Sequence, residues 1–396
     1  MIPLGVSSER SFFMAEKPSR KIALVANTAW NLWNFRRALL ESLANEGVEL
    51  LCLAPEDDFK EKLAEIKGVR FIALKHLSRK SLSPLSNLRT LAELVRQLRR
   101  EKPELAIFYT VKPNIFGSIA AYLTNTPAIA TVEGLGYAAT ASPFFRQIIF
   151  WLYRFAFRFV KKVVFLNHDD QAEFLHHRVV PSHKTLVIKG TGVDTVHFYP
   201  EENTEQEPVM LFIGRLLSDK GIREFVRAAG TVKEIVPKAR FQILGSLDAG
   251  NPASIEQDEL LHWIENQHVE YLGQTDDVRP FIARASVVVL PSYREGMPRA
   301  LLEGMAMGKP IITTDSVGCR ETVDEGKNGF IVPSENAEAL TDAMLRFLKL
   351  SSAQQRAMGH LSRQKAAAEF SNSVVLPQYL QLIREALHFH LPNKSR

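Results

Sequence analysis

A chain of 396 residues exceeds one typical domain of roughly 100–200 residues and is long enough to bury two cores. Apolar residues make up 46% and charged residues 23%, values that exclude a disordered, collagenous or coiled-coil protein. The net charge of +5 is unevenly shared: residues 1–200 hold 27 Lys/Arg against 18 Asp/Glu, +9, and the remainder holds 22 against 26, −4. The N-terminal half is therefore the one expected to meet something anionic.

Residues 1–20 read as a loose tail. Ile2 to Val6 is too short for the apolar region of a signal peptide, and Arg20-Lys21 follows it instead of preceding it. Cys52 and Cys319 stand far apart, with no CxxC pair and no histidine cluster at ligand spacing, which argues against a disulfide framework or zinc module. Two small thiols in apolar surroundings fit a reducing compartment, so a cytoplasmic setting is expected.

From Lys21 the chain alternates β-branched runs with amphipathic stretches. Strands are predicted at Lys21–Ala26, Glu49–Leu53, Val69–Leu74, Leu105–Tyr109, Ala128–Val132, Val163–Leu166 and Leu186–Ile188. The first helix shows Phe35, Ala38, Leu39 and Leu43 at the period of a buried face. Arg36 opens that helix, and Lys112 follows the Leu105–Tyr109 strand. Both are placed to meet an anionic ligand, with surface ion pairs as the alternative. Trp30 and Trp33 are suited to stacking on sugar faces or to ordinary packing.

The stretch from Pro143 to Lys162 is crowded with aromatics and interrupted by Arg146, Arg154 and Arg158, which argues against a membrane-spanning helix. Two readings stay open for it: a helix lying in the interface of an anionic membrane, or a core helix with its arginines reaching outward.

Residues 200–208, polar and bounded by Pro200 and Pro208, read as a linker between domains. A second series follows at Val209–Ile213, Phe241–Leu244, Val269–Leu272, Val287–Leu290, Ile311–Thr314 and Phe330–Val332. The expected fold class is α/β: two doubly wound, Rossmann-like parallel-sheet domains, 21–199 and 209–372, facing across a cleft. A closing helix at 373–396, with Val375, Tyr379, Leu380, Ile383 and Leu387 on one face, is expected to pack back toward the N-terminal domain.

Open parallel sheets bind ligands at the carboxyl ends of their strands, so chemistry is expected between the halves. The first strand runs into Asn27-Thr-Ala-Trp-Asn31 with no GxGxxG, which counts against a dinucleotide enzyme. Strand Val209–Ile213 runs into Gly214-Arg215 and then Lys220-Gly221 before a helix. Backbone amides, a helix N-terminus and two cations suit a diphosphate, although a solvated loop has the same composition. In Pro291-Ser-Tyr-Arg-Glu295-Gly-Met-Pro298, followed by Glu303, Gly308 and Pro310, the prolines and Gly308 bracket a helix. Glu295 then lies in the entering loop and Glu303 on the helix. Two such carboxylates serve either as an acid/base pair or as acceptors for sugar hydroxyls, and residue chemistry alone does not choose.

Glu295 and Glu303 with seven residues between them, together with Gly214-Arg215 and Lys220-Gly221, resemble the signature of the retaining family 4 glycosyltransferases of GT-B fold. The resemblance runs from Lys21 to the final helix. It implies a nucleotide-sugar donor in the C-terminal domain and an acceptor in the N-terminal one. Arg215 and Lys220 would bind the diphosphate beside Gly214, Glu295 the sugar hydroxyls and Glu303 the ribose. Gly296, Met297, Pro298 and Leu302 would line the donor, and Gly245, Gln274 and Thr275 the base. Catalysis would rest on Glu295, Arg215, Lys220 and Glu133, with retention at the anomeric carbon and charge on the departing diphosphate stabilised by the cations. No metal or other cofactor is implied, and the chain contains no Asp-x-Asp.

Val132-Glu133-Gly134-Leu135-Gly136, His76 to Pro84 and Ser292-Tyr293-Arg294-Glu295-Gly296 are similar to the bacterial enzymes that extend undecaprenyl-diphosphate-linked glycans. This implies a polyprenyl-diphosphate-linked saccharide as acceptor, with Asn27, Arg36, Lys112, Glu133 and Gly134 around it. The implied donor is of the UDP-GalNAc, UDP-GlcNAc or UDP-Gal type, and the implied location is the inner face of the plasma membrane. Many relatives carry His where Glu133 stands, so acceptor binding and general-base catalysis both stay open for it. The rival readings are a GT-B-fold UDP-sugar 2-epimerase and a non-catalytic lipid-surface or nucleic-acid binding protein. No recognisable nucleic-acid motif organises the cations, and nucleic acid is not an expected partner.

Overall fold

A computed structural model describes residues 20–78, 83–134, 143–201, 205, 207–248 and 250–388. Most of the tail, residues 202–204 and 206 of the 200–208 linker, residues 79–82 of the His76–Pro84 segment, Leu135 and Gly136, and the end of the closing helix lie outside the described residues.

Thirteen strands form among the described residues. β1 (Lys21–Val25), β2 (Glu49–Ala54), β3 (Val69–Ala73), β4 (Leu105–Tyr109), β5 (Ala128–Val132), β6 (Lys162–Phe165) and β7 (Thr185–Val187) belong to the first sheet. β8 (Val209–Ile213), β9 (Arg240–Leu244), β10 (Glu270–Tyr271), β11 (Val287–Leu290), β12 (Ile311–Thr314) and β13 (Gly329–Val332) belong to the second. The orders are β3-β2-β1-β4-β5-β6-β7 and β10-β9-β8-β11-β12-β13, with every pairing parallel. Both are doubly wound α/β sheets. β10 is shorter than the predicted Val269–Leu272; it is an edge strand, and its Glu270 pairs with Arg240 of the neighbouring β9 at 2.7 Å.

Central strands are apolar on both faces because both faces are covered. Along β4, Ala106 and Phe108 enter one core with Phe150, Phe157, Phe165 and Phe174, and Leu105, Ile107 and Tyr109 enter the opposite one. The opposite core is closed by the helix Ala29–Asn45 and by the helix Asn372–His388, which contributes Val375, Tyr379, Leu382 and Ile383. Thus the last helix of the chain covers the first sheet, and Tyr379 donates to the Gly190 carbonyl there at 3.2 Å. The second sheet has its own core around Phe212, Phe225 and Phe241.

The first helix departs from its predicted face. Leu32, Leu39, Leu40 and Leu43 are buried, but Phe35 and Ala38 are only partly so, and Arg36 takes a core position. The helix has turned so that a charge faces inward. Cys52 and Cys319 are both buried free thiols, and burial pushes them up to about 12 and about 11.

Candidate active site

In each sheet the strand order reverses beside the first strand, between β1 and β4 and between β8 and β11. Loops leaving those neighbouring strands diverge and open a crevice at their carboxyl ends. In the C-terminal domain the loop after β8 carries Lys220 in the short turn Ser218–Lys220, and the loop after β11 carries Glu295. The two loops are fastened together: Tyr293 N donates to Asp219 O at 2.9 Å and Ser292 Oγ to the same carbonyl at 3.1 Å. Gly221 turns with φ +70°, and a Cβ there would stand 2.1 Å from Pro291 O, so no other residue fits. The Lys220 ammonium consequently ion-pairs with the Glu295 carboxylate, both of them mostly shielded.

The remaining donor candidates lie on the same rim in separate pairings. Arg215 reaches Asp248 at 2.6 Å, and Gly214 donates to Leu244 O at 3.0 Å beneath Gly245. Glu303 sits one turn along the helix Arg299–Ala306 and accepts from Arg299 at 2.6 Å. Burial pushes the Glu303 carboxyl up, and the Arg299 guanidinium opposes that shift. Pro298 is the residue just before this helix, with Leu302 buried under it. Gln274 and Thr275 are exposed beyond β10, where Thr275 Oγ1 donates to Asp277 O at 3.2 Å.

On the N-terminal side, Glu133 follows β5. One of its carboxylate oxygens is bonded by the Arg36 guanidinium, and the other accepts from Asn31 Nδ2 at 3.0 Å. Arg36 was expected to face an anionic acceptor. It is instead 2% exposed, lying 4.1 Å over the Tyr109 ring with Tyr379 on its other flank. Burial works against its charge, but Glu133 and the two tyrosines more than offset this and hold the guanidinium above its usual range. Its guanidinium is paired with the Glu133 carboxylate. Lys112 is also engaged, donating to Ser78 O at 2.6 Å, and burial lowers its ammonium pKa. Asn27 lies half-buried in the loop after β1, and Trp30 is exposed against Phe35.

The two domains meet at these loops. Gly134, with φ +113°, lies against Gly296, and a Cβ on Gly296 would stand 2.0 Å from Glu133 O. Asn167 Nδ2 donates to Gly296 O at 2.7 Å, and Gly190 abuts Met297. Glu295 is therefore one residue from a backbone contact with the loop of Glu133. Asn31, Asn167, Asp170 and Tyr109 were not singled out from the sequence. Asn31 and Asn167 were accessible to it as polar residues just beyond predicted strands, but Tyr109 looks like any core residue.

Two doubly wound domains that meet through the loops at their carboxyl ends have the GT-B architecture. Residues 35–197 match the family described as Glycosyltransferase Family 4, and residues 207–350 match that described as Glycosyl transferases group 1. The protein belongs to these glycosyltransferases. Among its relatives, the N,N'-diacetylbacillosaminyl-diphospho-undecaprenol alpha-1,3-N-acetylgalactosaminyltransferase of Campylobacter jejuni is 28% identical over 382 residues, 91% of this chain and 98% of that one. The UDP-Gal:alpha-D-GlcNAc-diphosphoundecaprenol alpha-1,3-galactosyltransferase of Escherichia coli is 26% identical over 67% of this chain and 72% of its own length. Two solved structures share the fold. Sucrose-phosphate synthase from Thermosynechococcus elongatus has a TM-score of 0.80 at 22% identity, covering 93% of this chain and all of that one. Anabaena HepE in complex with UDP and glucose has a TM-score of 0.75 at 19% identity, covering 92% and 99%.

Proposed function

We propose that this enzyme transfers a hexose or N-acetylhexosamine from a UDP-sugar to a polyprenyl-diphosphate-linked saccharide, with retention at the anomeric carbon, in peripheral contact with an anionic membrane. The observation that carries the reading is the Lys220–Glu295 pair at the C-terminal switch point, one residue from the Gly296–Glu133 junction. A diphosphate arriving there offers Lys220 a stronger partner and releases Glu295 to accept from donor-sugar hydroxyls. Arg215 supplies a second cation and Glu303 a carboxylate for the ribose. Positive side chains then stabilise the charge on the departing diphosphate, whose oxygen takes the acceptor proton on the same face. This reading requires no metal. Glu133, with both oxygens already held, positions an acceptor hydroxyl.

The acceptor and membrane parts are supported by the relatives' lipid-linked substrates and by the N-terminal surface. Phe144, Ile148, Trp151 and Phe155 form an exposed stripe along the helix Pro143–Ala156, and Ile149, Phe150 and Tyr153 on its other side enter the core. A groove of about 720 Å³ beside Leu88, Leu123, Arg96, Arg99 and Arg100 joins apolar and basic side chains on the same domain. Among the described residues no helix is long and apolar enough to cross a membrane. Exposed aromatics with arginines beside them suit an anionic interface.

The test is incubation with a panel of UDP-sugars and lipid-diphosphate saccharides, with and without EDTA, following UDP release, product mass and the anomeric proton signal. The expected result is metal-independent UDP release with a retained linkage. Lys220→Ala and Glu295→Ala are each expected to lower turnover at least 100-fold in a protein that still folds, with some loss of melting temperature because the remaining charge is left unpaired. Near-normal turnover in either variant, or an isomerised UDP-sugar formed without acceptor, overturns the reading.

A further inference from the structure

Beside the donor loop lies a set of charges that the transfer scheme leaves unused. Arg294 immediately precedes Glu295, yet its guanidinium leaves its own domain. It bonds the Asp170 carboxylate and reaches Glu173 at 2.7 Å, both on the helix His168–His176 of the N-terminal domain. Asp170 has no exposed side-chain surface. Burial pushes its carboxyl up, and Arg294 and Asn167 oppose that shift. Such a buried carboxylate is tolerated only while paired, and in this closed arrangement Arg294 from the other domain supplies the compensating charge.

The same helix holds the other flank of Glu295. Asn167 caps its N-terminus, accepting from Asp170 N at 2.7 Å, and its amide donates both to Asp170 Oδ2 at 2.9 Å and to Gly296 O at 2.7 Å. Glu295 is thus gripped on both sides, through the Arg294 side chain before it and the Gly296 carbonyl after it. The remaining Glu173 oxygen is bonded by Arg146, which belongs to the helix with the exposed aromatic stripe. A continuous chain of ion pairs, Arg146–Glu173–Arg294, therefore joins that helix to the donor loop.

We propose that Arg294 is a positioning residue: with Asp170 and Asn167 it clamps the Glu295 loop onto the N-terminal domain, and through Glu173 and Arg146 it ties the loop to the aromatic surface helix. The clamp rests on the transfer reading, in that closure places the donor sugar opposite the acceptor. The diphosphate contacts, Lys220 and Arg215, lie wholly in the C-terminal domain, so opening the clamp leaves UDP binding in place but separates donor from acceptor.

Arg294→Met, Arg294→Lys, Asp170→Asn and Arg146→Gln separate these effects. Arg294→Met is expected to lower kcat about 30- to 100-fold and to change the UDP dissociation constant by calorimetry less than threefold. It should also enlarge the radius of gyration of the UDP-bound protein in X-ray scattering. Arg294→Lys, which keeps the charge but loses the fork, should regain about tenfold in kcat. Asp170→Asn should behave as Arg294→Met, and Arg146→Gln should lose only about threefold. An Arg294→Met protein with wild-type kcat and scattering overturns the proposal, as does a loss of UDP binding that parallels the loss of kcat, which would mark collapse of the loop. If the wild-type protein transfers no sugar, the functional reading fails, but the scattering comparison still decides whether the clamp holds the domains together.

Discussion

The charges around the cleft are held in pairs, and each pair prescribes what a ligand must exchange. Lys220 and Glu295 neutralise one another, and in the proposed reaction a diphosphate and a sugar would take them separately. Arg36 and Glu133 are different, because Arg36 is sealed under Tyr109 and Tyr379 and has no route to a ligand. A buried guanidinium over an aromatic ring gains cation–π attraction, but its main partner is the carboxylate. Replacing Arg36 with Met therefore strands Glu133 and is expected to cost about 2–4 kcal/mol, somewhat under the fully buried range because Glu133 keeps partial exposure. Pairing Arg36→Met with Glu133→Leu should recover most of that loss. Urea denaturation midpoints read both changes, and a single-variant cost below about 1 kcal/mol would show that Glu133 does not depend on Arg36.

At the scale of elements, the loops leaving β5 and β11 approach so closely that a side chain at Gly296 has no room, and one at Gly134 would stand only 3.3 Å from Gly296 N. Gly296 is at the point of contact, with Glu133 O where its Cβ would stand. The neighbour is backbone, not a flexible side-chain end, so relief must come from moving a whole loop. Gly296→Ala is accordingly expected to lower kcat by two orders of magnitude or more and to leave the C-terminal domain folded and able to bind UDP within about threefold. Calorimetry beside a steady-state assay checks this, and unchanged kcat would mean that the loops part during catalysis. Strand positions in this region were readable in advance: β4, β5, β8, β11 and β12 carry apolar runs bounded by loop-forming residues. The inward turn of Arg36 was not, since helical periodicity assigns a face by hydrophobicity and cannot foresee that a carboxylate from β5 will compensate a buried cation.

The whole molecule places its two kinds of surface on one lobe. The basic excess of the N-terminal half lies on the same lobe as the exposed stripe of Phe144, Ile148, Trp151 and Phe155, whereas the acidic C-terminal half carries the paired loops of the proposed donor site. Each aromatic that leaves water for a lipid interface contributes on the order of 1–3 kcal/mol, and each nearby cation about 1 kcal/mol. Trp151→Ala combined with Phe144→Ala should weaken binding to vesicles containing anionic lipid at least tenfold, with folding stability within about 0.5 kcal/mol of the parent. Raising the salt concentration should weaken the parent in the same assay. Equal vesicle binding by the variant and the parent in co-sedimentation would place the lipid contact elsewhere.

Periodicity and loop chemistry, both local properties, sufficed to recognise two parallel-sheet domains and the loops with Gly214, Lys220 and Glu295. Short-range patterns survive folding because each strand must bury its own apolar run and a turn such as that at Gly221 needs a residue without a side chain. Which charges meet was settled only by strand order and domain docking. β8 lies beside β11, so Lys220 finds Glu295 across 75 positions of sequence, and the domains close so that Arg294 finds Asp170 across 124. Coulomb attraction acts through space and falls off with distance, and no property of the chain near Arg36 or Arg294 announces a partner that arrives from another strand or another domain.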